Sequence, residues 1–170
     1  MDSVEQIALT LLILVSIIFP LTTFVHELGH ALLSLFLFKE PVEIRLGKPT
    51  TKSGFKIGKL TIKVQPISGW VGYTDFKIPK DMNNSIQHAS VLLSGPIFSF
   101  MLSLVCYILV AYLNLGSIPT FLIKLITQAA FVQFIITLLP IKYPSFFGGY
   151  KGMASDGYQL MQLIMRRANS

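Results

Sequence analysis

Cysteine occurs once in the 170 residues, at Cys106 within an apolar run, and charged residues make up only 13% of the chain. A lone thiol excludes a disulfide framework and reads as a buried, inert side chain. So little charge, set against 52% hydrophobic residues, does not match a soluble globular surface, where about a quarter of residues are charged. Histidine is nearly as scarce, with three copies, and there are eight acidic residues, so metal ligands must come from a short roster. No repeat, low-complexity linker or second domain breaks the chain, and the expectation is one integral-membrane domain over 1–170. No Lys or Arg precedes Lys39, which excludes the basic opening of a secretory signal peptide.

What the chain does have is apolar length. Three tracts, about 7–38, 89–113 and 118–139, exceed or match the roughly 20 residues of helix needed to cross a hydrocarbon core about 30 Å thick. Of the 14 basic residues, nine lie between the first two tracts and four follow the third. The positive-inside rule therefore places the loop and the C-terminus in the cytoplasm and the N-terminus outside. The net charge of +6 reads as this topology bias, with the lipid bilayer and its anionic headgroups as partner and no nucleic acid. A prokaryotic cytoplasmic membrane is the expected location.

Between the first two tracts the pattern changes. "VEIRL", "KLTIKVQ" and "GWVGYTDF" alternate with period two and are separated by Gly and Pro, which predicts a small β-hairpin region over about 41–78. Trp70 and Tyr73 are read as interfacial anchors or hairpin packing residues. Pro20 gives the first tract a reason to kink or break, and the Gly95–Pro96 pair would loosen the second. After the third tract, "SDGYQLMQLIMRR" predicts a short amphipathic interfacial helix opened by Ser155 or Asp156. The expected fold class is thus membrane α-helical, with three transmembrane core helices, the hairpin region and this last helix.

The chemistry concentrates at residues 26–30, "HELGH", inside the first apolar tract. Residues four apart share a helix face, so His26 and His30 offer two nitrogens to one ion, with Glu27 beside it. This is the HExxH arrangement, two histidines on Zn²⁺ and a glutamate as general base. Isolated ionisable groups at membrane depth cost several kcal/mol unless paired, metal-bound or facing water, so plain surface polarity does not explain them. A catalytic zinc takes a third protein ligand. Asp156, beyond the third tract, is the first candidate, a plain helix N-cap is its competing reading, and His88 stands behind it.

With these pieces, the sequence resembles the site-2 protease family of intramembrane zinc metalloproteases. "HELGH" is similar to the family's HExxH, "GPIFS" (Gly95 to Ser99) to its GPxxN, and "TLLP" followed by "SDG" to its NxxP and DG elements. The resemblance implies zinc held by His26, His30 and Asp156, Glu27 as catalytic base, and Gly95, Pro96, Ser99 and Thr137 as substrate-binding residues. Ser99 and Thr137 stand where the family usually has Asn, and the loop before Asp156 is longer than the family's spacing. The chain looks like a minimal core with no PDZ or CBS appendage. The implied activity is hydrolysis of a peptide bond in or near the transmembrane segment of a membrane protein. A strand edge, with Ile62 and Val64 as the positions singled out, would hold the unwound substrate. The alternatives are a weak pseudoprotease that binds membrane helices and a membrane metal-handling protein.

Overall fold

The computed structural model describes residues 3–48, 53–65, 71–79, 85–144 and 151–168. In chain order these form α1 (Ser3–Ile13), a π-helical turn (Leu14–Ile18), α2 (Phe19–Phe38), β1 (Val42–Leu46), β2 (Phe55–Ile57), β3 (Leu60–Val64), β4 (Gly72–Asp75), α3 (Ser85–Tyr112), α4 (Ser117–Leu138) and α5 (Asp156–Ala168). Three helical stretches, Ser3–Phe38, Ser85–Tyr112 and Ser117–Leu138, are long and apolar enough to cross a membrane. Trp70 and much of the Gly-rich loop before Asp156 lie outside the described residues.

The first stretch passes through Pro20 without a break. Proline cannot donate to the carbonyl four residues back and its ring crowds that carbonyl. The π turn lies immediately upstream, with the Phe19 amide donating to the Leu14 carbonyl, and its wider winding takes up the misfit. The resulting 36 residues extend about 54 Å at 1.5 Å per residue, well beyond a bilayer core. α3 likewise continues through Pro96. Lys39 ends α2 in the left-handed conformation, φ 58°, with its amide bonded to the Leu35 carbonyl.

The polar segment is a four-stranded mixed sheet in the order β2-β3-β1-β4, which corrects the expectation of hairpins alone. β1 runs parallel to β3 and antiparallel to β4, and only β2 and β3 form a hairpin. Alternation decides which face of a strand is buried and says nothing of its neighbours. Val42, Ile44 and Leu46 all point to one side, where they meet Leu60 and Ala31 and are flanked by Phe24, Leu28 and Leu35 of α2. On the opposite side Arg45 pairs with Glu43 and Asp75, and Lys63 with Glu43. Ile62 is paired on both sides, to Ile44 and Phe55, and Val64 to Leu46. The edges are therefore β2 and β4, and β4 is the one that sits against α2 near its middle.

Candidate metal centre

His26, Glu27 and His30 fall on the buried side of α2. One helical turn separates the two histidines, their rings meet edge to face with centroids 4.8 Å apart, and their Nε2 atoms are 3.2 Å apart. Each ring is fixed from behind. His30 Nδ1–H donates to the Val91 carbonyl at 2.7 Å, and His26 Nδ1 lies 3.0 Å from Ser99 Oγ. Both partners come from α3, which can approach because residue 95 is glycine: a Cβ there would collide with the His30 ring. With its proton on Nδ1, neutral His30 must present Nε2 as a lone pair.

Asp156 arrives from 130 positions later in the chain, yet its Oδ2 lies 3.0 Å from His26 Nε2 and 3.5 Å from His30 Nε2. The return is built from the segment after α4. Tyr143 and Met153 pair through a 2.9 Å backbone bond, and the Ser155 amide donates to the Ile141 carbonyl at 3.0 Å. The residues flanking the loop are thus held together, which keeps Asp156 in place. Ser155 takes the capping role: its Oγ accepts from the Tyr158 amide and donates to the Leu139 carbonyl. With the cap supplied by its neighbour, Asp156 is the first helical residue and is free to face the histidines. Gly157 presses on the Leu138 carbonyl so closely that any Cβ would overlap it, and so seats α5 on the end of α4.

The ligand atoms of His26, His30 and Asp156 all lie within 4.8 Å of one another. Two imidazole nitrogens and a carboxylate oxygen converging as acceptors suit a zinc-type cation, which satisfies all three at once. Second supports behind both rings are what such ligands ordinarily carry.

A cavity of about 810 Å³ opens in front of these atoms. Glu27 and Thr74 line it from one side, Gln133 and Thr137 of α4 from another, and Tyr143 and Asp156 from the loop side. Of the residues expected to contact substrate, Thr137 lies on this wall. Gly95, Pro96 and Ser99 lie behind the histidines within α3; Ser99 is 0% exposed and spends its hydroxyl on His26. His88 also lines the cavity, stacked edge-on against Phe76, and stands apart from the three converging ligands. Tyr143 was not singled out from the sequence; burial first, then the Asp156 and Glu27 charges, raise its phenol and keep it protonated. Thr74 was also missed, although the alternation of residues 72–75 already places it on one face with Gly72.

No curated protein matches the chain. Residues 11–165, which take in most of the first long helical stretch, both of the others and Asp156, match the model for peptidase family M50. The converging ligands, the neighbouring glutamate and this match agree, and the chain belongs to peptidase family M50, the site-2 protease family of membrane zinc metalloproteases.

Proposed function

We propose that this integral membrane protein hydrolyses a peptide bond in or near the transmembrane segment of a membrane-protein substrate, as in regulated intramembrane proteolysis. The observation that carries the reading is the burial of Glu27 beside the three converging ligands on the wall of a cavity large enough for a short stretch of peptide. When bound by His26, His30 and Asp156, zinc supplies Lewis-acid polarisation of a carbonyl and acidification of water. Glu27 then takes a proton from the attacking water and returns it to the departing amine, the general acid–base part of the reaction. Ser99 and the Val91 carbonyl hold the rings, and Thr137 forms part of the wall along which the peptide would lie.

A membrane helix arrives with its amides already paired, so it must unwind before it can be cut. β4 is an edge strand, and its residues 72–74 line the cavity together with Val71 just before it. This supports β4, in place of the internal Ile62 position, as the strand with which an unwound substrate pairs. The distribution of basic residues supports a cytoplasmic C-terminus and an outward N-terminus; a prokaryotic membrane is part of the proposal.

The test is cleavage of a panel of single-span substrates in liposomes by wild type and Glu27→Gln, with bound zinc quantified in both. Stoichiometric zinc in both proteins and a loss of about 10²- to 10⁴-fold in cleavage for the variant is expected. Equal cleavage by both proteins, or a wild type without zinc, would overturn the reading.

A further inference from the structure

β4 does more than border the cavity. Its buried positions alternate with exposed ones, so Gly72 and Thr74 share the face turned to α2 while Tyr73 and Asp75 face away. Both inward positions meet the same side chain. Thr74 Oγ1 lies 2.7 Å from Glu27 Oε2 and 3.0 Å from the Glu27 backbone carbonyl. At residue 72, a Cβ would stand 2.7 Å from both Glu27 Cγ and Oε1, so only glycine lets the strand come this close. One oxygen of Glu27 is thus hydrogen-bonded and the other is confined by backbone contact.

A threonine hydroxyl has a single proton to give. The Glu27 carbonyl belongs to a helix that already uses it, and the carboxylate is the stronger acceptor and the nearer one. The donor therefore serves the carboxylate. A glutamate with three rotatable bonds loses freedom when held in this way, and a base held within reach of its proton needs no search for the reactive rotamer.

We propose that Thr74 is a positioning residue for Glu27: its hydroxyl fixes the rotamer in which the carboxylate serves as general base, and β4 thereby joins the strand along the substrate cavity to the proton-transfer group. This deepens the proposed proteolysis and rests on it for the role of Glu27. Among the described residues, no hydrogen bond joins Thr74 to His26, His30 or Asp156, so its effect separates from zinc retention.

The experiment compares wild type, Thr74→Val and Thr74→Ser, measuring bound zinc, kcat and KM on one cleaved substrate, and affinity for a peptide hydroxamate. A hydroxamate chelates the metal and passes a proton to the adjacent carboxylate, so its affinity reads the placement of Glu27 without turnover. Thr74→Val, which keeps the shape of the side chain and loses the donor, is expected to retain full zinc and a KM within about threefold. Its kcat and hydroxamate affinity should each fall about tenfold, the loss of one charge-assisted hydrogen bond, and Thr74→Ser should restore both. Wild-type values in Thr74→Val, equal losses in the Val and Ser variants, or loss of zinc from Thr74→Val would overturn the proposal. If no substrate is cleaved even by wild type while the hydroxamate pattern holds, the proteolytic reading falls and the Thr74–Glu27 coupling stands.

Discussion

Ser99 occupies the position that the family pattern assigns to substrate, yet its hydroxyl faces the far nitrogen of His26 and no part of it lines the cavity. Partners of this kind typically contribute 10- to 100-fold to metal affinity. Ser99→Ala is therefore expected to weaken zinc binding by about that factor in chelator competition, with KM unchanged once zinc is saturating; a raised KM with unaltered zinc affinity would return Ser99 to the substrate. Gly157→Ala tests a different contact. The added methyl cannot coexist with the Leu138 carbonyl, so the start of α5 must shift, and the variant is expected to lose zinc in metal analysis even though residue 157 is no ligand. His26, Glu27 and His30 were legible in sequence because a four-residue spacing on a helix is a local fact. The role of Ser99 was not, because it depends on how α3 is rotated against α2.

Among the elements, α2 and α4 were readable from apolar length alone, whereas the sheet was only half readable. The alternation of Val42, Ile44 and Leu46 announced a buried face, but the parallel pairing of β1 with β3 follows from long-range packing on Ala31 and its neighbours. At Pro20 the helix continues without a break, because the proline sits just after a π turn that accommodates it. The sheet's outward face offers a pH test. Burial opposes ionisation of Glu43, but hydrogen bonds from Arg45 and Lys63 prevail and lower its pKa. A lowered folded-state pKa means stabilisation that is present above the ordinary carboxylate range and lost as pH falls through the folded value. The difference in Tm between wild type and Glu43→Gln in detergent is therefore expected to shrink on acidification towards pH 3. α5 offers a second test. Ser155→Ala removes the cap and the tether to Leu139, and a loss of about 1 kcal/mol in stability is expected from the cap alone, read by thermal unfolding.

For the whole molecule, the long first stretch and the 22-residue α4 differ greatly in length. α4 alone spans about 33 Å at 1.5 Å per residue, close to one bilayer core, and Thr137 and Asp156 cluster at its C-terminal end. The converging side chains therefore stand near the C-terminal end of α4. With Cys106 replaced by Ala, single cysteines at Ser53 and at Ser3 should react with a membrane-impermeant maleimide from opposite sides of sealed vesicles, Ser53 from the cytoplasmic one. Labelling of both from one side would refute the orientation drawn from the basic residues. The three long apolar helices were legible at this scale because length and hydropathy suffice for them; the meeting of residues 26 and 156 was not, because nothing local encodes it.

The metal ligand that comes from the far end of the chain is also the first residue of an amphipathic helix, and Ser155 and Gly157 on either side of it join that helix to α4. Seating α5 and completing the ligand set are consequently one equilibrium viewed from two ends. Linkage requires the coupling to be reciprocal: whatever binds α5 in its seated position tightens zinc, and zinc in turn raises affinity for that same agent by an equal factor. In the proposed enzyme, a lipid headgroup or protein that instead draws α5 away would lower metal occupancy without ever entering the cavity.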